Sequence, residues 1–234
     1  MKTFKTFLAA SAIIAISATS ALAGGAGDSY GSWGNDNSSS QGSGSQIVNG
    51  QLNLQTVWAN LNGSVDTVGG DAVAQGSAAG NMIDITTMNN TRVFNNQIVG
   101  PQATIGSAVN VDFNNVWGSV GVQNQVLCNG ASVSTDPVLT QVNSNQECHA
   151  SDPFSGIKTN ISNVAGNAVI MGSAISNSFE ADSNAPNMPI ITKQLNNSAS
   201  VSNVSANIFN VAGSVGMQSS AVGNTSQIIH YNTN

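Results

Sequence analysis

A repeat of about 48 residues constrains this chain more than any other feature of its sequence. Four segments of fourteen residues align without gaps, and their first residues are separated by 48, 48 and 47 positions. Every segment opens with valine, has glycine third and closes with asparagine. The three columns hold Val68, Val116, Val164 and Val211; Gly70, Gly118, Gly166 and Gly213; and Asn81, Asn129, Asn177 and Asn224. A fixed period predicts a stacked architecture, in which each repeat needs its neighbours to bury a core.

The repeat continues upstream with the pattern of β-strands. Aliphatic or aromatic residues precede the valine by three and by seven positions in every repeat. Apolar and polar residues alternate, as in 109–113, Val-Asn-Val-Asp-Phe, and this is the period of a half-buried strand. Glycine and asparagine recur at fixed offsets, where turns need a positive φ. We therefore predict an all-β fold, a repetitive β-solenoid over residues 47–234, with apolar core ladders and a ladder of stacked asparagine amides.

Two details of this solenoid stay open. A weaker similarity between 99–110 and 166–177 allows each repeat to be one unit or two rungs of about 24 residues. A glutamine followed by an aliphatic residue opens each upstream block, and a further pair looks like a truncated fifth start. These glutamines are Gln46, Gln97, Gln141, Gln194 and Gln227. The alternative architecture is a sandwich or barrel of hairpins, but identical residues at four equal intervals favour the solenoid.

Two shorter segments precede the repeats. Residues 1–23 have a basic start, an apolar stretch at 7–16 and an Ala-Leu-Ala cleavage site at 21–23, which predicts a secretory signal peptide. The apolar stretch is too short for a transmembrane anchor, which is the alternative interpretation. Residues 24–46 are rich in Gly, Ser and Asn, and we predict a flexible leader there.

Composition narrows the possible functions. Only 7% of the residues are charged, and 5 Lys and Arg stand against 11 Asp and Glu, for a net charge of −6. Because a nucleic-acid backbone requires clustered cations, nucleic acid is not an expected partner. Removal of the signal peptide would leave Arg92, Lys158 and Lys193 as the only cations. The sequence thus indicates an acidic, weakly charged, exported protein.

Cys128 and Cys148 are the only cysteines. In an oxidising compartment an isolated pair predicts a disulfide, which we expect to staple an insertion in the second repeat. A metal site that recruits His149 and Asp152 is the alternative, but this spacing matches no standard zinc motif. We therefore expect neither a metal nor a cofactor.

Catalytic motifs are hard to find. Neither G-x-S-x-G nor H-E-x-x-H occurs, and His149 and His230 are the only histidines. The best candidate for an enzyme is a group of four acids, since polysaccharide-cleaving solenoids use clustered acids on one face. These are Asp66, Asp71, Asp84 and Asp112. The columns of the first two hold neutral residues in the other repeats, so we interpret them as surface residues and expect no catalytic site.

The glutamine–aliphatic starts, the V-x-G opening and the closing asparagine resemble bacterial surface fibre proteins. The resemblance covers residues 46–229 and is to curlin-type fibre subunits and to the holdfast-anchoring surface proteins of stalked bacteria. Curlin repeats differ in being roughly half as long, in ordering their Gln, Gly and Asn differently, and in lacking the cysteine pair. The resemblance implies a secreted, amyloid-like cell-surface protein of structural or adhesive function, a fibre subunit or attachment-anchor component of a biofilm.

Several partners fit this interpretation. The final segment, Ser226–Tyr231, is apolar, aromatic and uncharged, and we predict an open strand there that could join a second copy head to tail. An outer-membrane anchor, a secretion protein and extracellular polysaccharide are the other partners considered. The alternative functions are a carbohydrate- or ice-binding module, to which Trp58 and Trp117 could contribute sugar-stacking platforms, and a polysaccharide-cleaving enzyme.

Overall fold

Twelve β-strands and no helix make up the described residues of the computed structural model, which are 45–87, 91–135, 140–184 and 189–230. The strands are β1 (Ser45–Asn53), β2 (Val57–Val68), β3 (Ala72–Thr87), β4 (Thr91–Val99), β5 (Thr104–Val116), β6 (Val120–Thr135), β7 (Thr140–Cys148), β8 (Ser151–Val164), β9 (Ala168–Ser183), β10 (Ile190–Asn196), β11 (Val201–Val211) and β12 (Val215–His230). The described part of the chain thus holds no helix that could cross a membrane. The predicted signal peptide lies outside the described residues, as does the predicted leader up to residue 44.

The strands form three parallel four-stranded sheets. Sheet A has the order β1-β4-β7-β10, sheet B has β2-β5-β8-β11, and sheet C has β3-β6-β9-β12. Three consecutive strands, one from each sheet, make one turn of the solenoid, which we call a rung. Rungs 1 to 4 span 45–87, 91–135, 140–184 and 189–230. The predicted β-solenoid is therefore confirmed, and the alternative built from antiparallel hairpins is wrong because every pairing is parallel.

The strand register reproduces the sequence alignment. The four valines pair as Val68 with Val116, Val116 with Val164, and Val164 with Val211. The positions three and seven residues earlier pair in the same way across sheet B. Inner residues of these columns, such as Val116 and Phe113, are almost fully buried. The predicted apolar ladders are thus present in the core.

The idea of two rungs in each repeat is wrong, since paired residues of sheets B and C are separated by a whole repeat. Residues 99–110 and 166–177 run into β5 and β9, which belong to different sheets and do not pair. The two segments are similar because each contains a turn followed by a strand in which inward and outward residues alternate.

The glutamine alignment also needs a correction. Gln97 pairs with Gln51 and Gln146. By contrast, Gln46 and Gln141 both pair with Arg92. The predicted fifth start is wrong as well, because residues 226–230 are the end of β12 and pair with 179–183 of β9.

Sheet C packs against both other sheets. One core cluster joins its first half to sheet B and contains Ala74, Val122 and Ile170. Another cluster joins its second half to sheet A. Between the two halves the inward–outward alternation changes phase: Ala78 is buried, and the next fully inward residue is Asn81. This phase change turns the asparagine column toward sheet A.

The predicted disulfide is formed, with an S–S distance of 2.13 Å and Cα atoms 6.1 Å apart. Cys128 lies in β6 of sheet C and Cys148 ends β7 of sheet A; both are fully buried. Cys148 pairs in register with Val99 and Asn196, so it belongs to a regular column. The expectation that the bridge staples an insertion is therefore wrong: it joins two sheets across the core and links rung 2 to rung 3.

Candidate functional site: the two ends of the stack

Each sheet ends in an edge strand at both ends of the stack. Strands β1, β2 and β3 form the rung-1 face, and β10, β11 and β12 form the rung-4 face. Each of these strands has a neighbour on one side only among the described residues. A parallel edge strand presents a row of backbone donors and acceptors that can pair with another chain. The two faces are therefore candidate interaction surfaces.

The four closing asparagines form a ladder through the core. Asn81 Nδ2 donates to Asn129 Oδ1 at 2.9 Å, and the next two steps, to Asn177 and then to Asn224, are 2.8 Å each. The closing asparagine of each of the first three rungs also donates to a sheet A carbonyl of the next rung. These carbonyls belong to Ile98, Glu147 and Leu195, at 2.8–3.0 Å. Because a backbone carbonyl can only accept a hydrogen bond, the NH2 group of each amide must face it, and these bonds fix the orientation of the amides.

Asn224 in rung 4 departs from this pattern. Its column would lead to a carbonyl one rung beyond Leu195, where no described residue lies. Its Nδ2 instead donates to Gln194 O of the same rung, over a longer distance of 3.3 Å. The asparagine ladder therefore ends in a substitute hydrogen bond on the rung-4 face.

A glutamine ladder runs beside it in the opposite direction. Each Nε2 donates to the glutamine Oε1 of the preceding rung at 2.8–2.9 Å, along the series Gln194, Gln146, Gln97 and Gln51. The second N–H of each amide donates to a sheet C carbonyl of its own rung, at 2.9 Å in every rung. Gln97 and Gln146 are fully buried, so this ladder is part of the core.

Opposite ladder directions make the two faces complementary. On the rung-1 face, one N–H of the Gln51 amide donates to no described residue, and Asn81 Oδ1 accepts a hydrogen bond from none. On the rung-4 face, Gln194 Oε1 accepts no hydrogen bond from a described residue, and one N–H of the Asn224 amide donates to none. One face therefore offers the donor that the other lacks, in both ladders.

A third column ends with an unsatisfied group on the rung-4 face. In sheet A, Asn49 donates to Asn95 at 2.7 Å and Asn95 donates to Ser144 at 3.0 Å. The next position is Thr192, whose buried Oγ1 has no hydrogen-bond partner among the described residues. A buried hydroxyl without a partner is unfavourable, and an Asn49 in a following rung would offer this one an acceptor.

The two faces differ in charge and share exposed apolar groups. Rung 1 carries Asp66, Asp71 and Asp84 without Lys or Arg, whereas rung 4 carries Lys193 and no acid. Fourteen large apolar side chains are exposed in the described part of the chain, and six of them belong to rung 1 and seven to rung 4. Exposed apolar side chains that are concentrated on one face in this way are typical of an interaction surface.

The four candidate acids do not form one site. Asp66 and Asp112 accept hydrogen bonds from asparagines of the following rung in sheet B. Asp71 accepts the backbone N–H of Ser119 at 2.7 Å at the turn before sheet C, and Asp84 lies in β3 of sheet C. Three of the acids thus join adjacent rungs, and the group is spread over different parts of the solenoid.

His149 lies beside Glu147, with Nε2 and Oε2 separated by 3.3 Å. A hydrogen bond from Asn145 is the main influence that holds the pKa of Glu147 below its ordinary value; His149 and Lys193 act in the same direction, and burial opposes them. Asp152 accepts the backbone N–H of Ala199. No group of three or more His, Cys, Asp or Glu in the described part of the chain could hold a metal ion.

Sequence reasoning missed Gln51, Gln146 and Thr192. A signal for the first two was available, since each glutamine of the ladder precedes its closing asparagine by about 30 residues. The unsatisfied Thr192 hydroxyl had no such signal, because its column holds Asn, Asn, Ser and Thr.

Comparisons of this chain with protein-family models, with curated proteins and with solved structures gave no match. The geometry of the two end faces is therefore the basis for a functional proposal.

Proposed function

We propose that this chain is a secreted bacterial cell-surface protein of structural or adhesive function, whose copies stack head to tail as fibre subunits or on an attachment anchor. The observation that carries the proposal is the pair of opposed amide ladders, which leave matched donors and acceptors at the two ends. A chemical reaction is no part of this function. The partners are a second copy and, at the base of a stack, an outer-membrane anchor or secretion protein.

Head-to-tail stacking would repeat the contacts already made between rungs. Rung 1 of the next copy would follow rung 4, so that Asn224 Nδ2 could donate to Leu52 O and to Asn81 Oδ1 of that copy. Gln51 Nε2 of that copy would donate to Gln194 Oε1. Thr192 would gain Asn49 as a neighbour. Every open group at the junction then has the partner that its column has elsewhere in the stack.

Stacking of like ends is less favourable. Two rung-1 faces would bring together the aspartates of both copies, with no Lys or Arg in either rung to offset them. Either contact between like ends turns one copy over, so that its strands would run against those of its neighbour, whereas the pairings within the stack are parallel. Because a contact between unlike faces does not close on itself, it continues into a filament.

Engineered cysteines test this arrangement. Gly50 and Lys193 occupy one outward column of sheet A, at opposite ends of the stack, and both are exposed. Within one copy they are three strand spacings apart, about 14 Å, which is too far for a disulfide. Across a head-to-tail junction they would be neighbours. We expect the double variant Gly50→Cys, Lys193→Cys to give a ladder of covalent oligomers on non-reducing gels after mild oxidation.

Three controls make the result decisive. The single variants should stop at monomers, because head-to-tail stacking separates identical positions by a full subunit. A mismatched pair, Gly50→Cys with Gln218→Cys, combines sheet A with sheet C and should give no ladder. Dimers from the single variants would show stacking of like ends, and a double variant that stays monomeric would overturn the proposal.

A further inference from the structure

Trp117 is the one exposed large apolar side chain of rungs 2 and 3 among the described residues. Its side chain is 75% exposed. The other thirteen belong to rungs 1 and 4, where end-to-end stacking gives them a new neighbour. Stacking leaves Trp117 uncovered, so this residue needs a different explanation.

Trp58 shows what a packed tryptophan looks like in this fold. Its ring is parallel to Phe154, with an interplanar angle of 7° and centroids 6.2 Å apart. The two rings belong to alternate rungs, and Gly106 lies between them in the same column. A Cβ at Gly106 would come within 2.1 Å of the Trp58 ring. Trp58 therefore contributes to packing on sheet B, which is a role that Trp117 lacks.

The turn between β5 and β6 holds Trp117 on a rigid backbone with small neighbours. Its N–H donates to Val68 O of rung 1 at 2.9 Å, and the N–H of Gly118 donates to Gly70 O at 3.1 Å. The equivalent positions in the adjacent rungs are Gly69 and Ala165. Small residues on both sides leave the indole accessible, and the paired backbone keeps its position fixed.

Two carboxylates of rung 1 bind residues that precede and follow Trp117 in the chain. Asn115 Nδ2, two residues before it, donates to Asp66 Oδ1 at 3.1 Å. The N–H of Ser119, two residues after it, donates to Asp71 Oδ1 at 2.7 Å. Both acids are exposed, and the Oδ2 atom of each has no hydrogen bond to a described residue. Trp117 therefore lies, along the chain, between two residues that each bind an exposed carboxylate of rung 1.

We propose that Trp117, Asp66 and Asp71 form a binding subsite for a neutral polysaccharide of pyranose units. The apolar face of a pyranose ring would stack on the indole, and its hydroxyls would donate to the two carboxylates. Segments 64–71 and 112–121 contain acids but no Lys or Arg, so a polyanionic glycan would be repelled. The subsite exists in a single copy of the chain. Only the repetition of the subsite rests on the proposed function: a head-to-tail stack would display one subsite for every four rungs, and binding to several of them at once would add avidity.

Fluorescence and calorimetric titrations of the unassembled protein test this subsite with four probes. These are cellohexaose, laminarihexaose, chitohexaose and oligogalacturonate. We expect at least one neutral hexasaccharide to bind and oligogalacturonate not to bind. Trp117→Ala should weaken binding at least tenfold, Trp117→Tyr should retain most of it, and the double variant Asp66→Asn, Asp71→Asn should weaken it about three- to tenfold.

Trp58→Ala is the matched control and should keep the sugar affinity while it lowers the thermal midpoint. Equal affinity in Trp117→Ala and the unsubstituted protein would overturn the proposal. Binding of none of the neutral hexasaccharides, or preference for oligogalacturonate, would do so as well. Failure here is distinguishable from failure of head-to-tail stacking, because Trp117→Ala introduced into the Gly50→Cys, Lys193→Cys variant should leave the covalent ladder unchanged.

Discussion

The asparagine ladder should make an inner rung far more sensitive to substitution than an end rung. Asn129 is fully buried. It accepts a hydrogen bond from Asn81 and donates to Asn177 and to Glu147 O, at 2.8–3.0 Å. Truncation to alanine removes all three bonds and leaves their partners without that contact inside the core.

The magnitude follows from the number of groups affected. A buried donor or acceptor that loses its partner costs about 1–3 kcal/mol. Three such groups, at a little over 1 kcal/mol each, predict a loss of ~4 kcal/mol for Asn129→Ala. Asn224→Ala removes the 3.3 Å bond and one acceptor on an exposed rung, so we expect a loss of about 1 kcal/mol.

Urea unfolding followed by circular dichroism measures this difference. With a slope of about 2.5 kcal/mol per molar urea, Asn129→Ala should lower the midpoint by ~1.5 M. Asn224→Ala should lower it by about 0.4 M with the same slope. Equal shifts for the two variants would refute the reasoning, because they would mean that the ladder adds nothing beyond local propensity.

Three further substitutions follow from the same geometry. Thr67 is a β-branched residue at φ 58°, where the other rungs have asparagine at 54–57°; Thr67→Asn should therefore stabilise by ~1 kcal/mol and raise the melting temperature. A Cβ at Gly118 would lie 2.5 Å from the Gly70 backbone, while one at Gly69 would meet nothing, so Gly118→Ala should lower the urea midpoint clearly more than Gly69→Ala. The lowered pKa of Glu147 means that its ionised form stabilises the fold above about pH 4.5 and that this stabilisation is lost as the pH falls through the folded-state pKa. Glu147→Gln should accordingly lower the urea midpoint at pH 7, and this loss should shrink as the pH falls below 4.5; a loss that stays the same at low pH would point to packing.

The repeat determined much of what the sequence could predict. Val116 and its equivalents recur at a fixed interval and alternate with polar residues, so strand type, register in sheets B and C and the asparagine column followed directly. Because Cys128 and Cys148 are the only cysteines, the sequence likewise permitted a single disulfide within the chain. These features depend on local pattern or on simple counting, which a single sequence contains.

Other features depend on three-dimensional arrangement. Each rung uses three strands of unequal length, and the similarity of 99–110 to 166–177 could not show that these segments belong to different sheets. The glutamine column was misaligned because Gln46 and Gln141 look like its members but pair with Arg92. The complementarity of the two ends arises from the hydrogen-bond direction of each amide, which composition does not encode.

The central claim is that unlike ends of this solenoid join into a polar stack. Electron cryo-microscopy of the assembled protein measures it most directly, through the axial rise per subunit and the relative direction of neighbouring subunits. Four rungs at ~4.8 Å predict a rise of about 19 Å with all subunits in the same direction. A repeat of twice that length with alternating subunit direction, or assemblies joined only through their sides, would contradict the account.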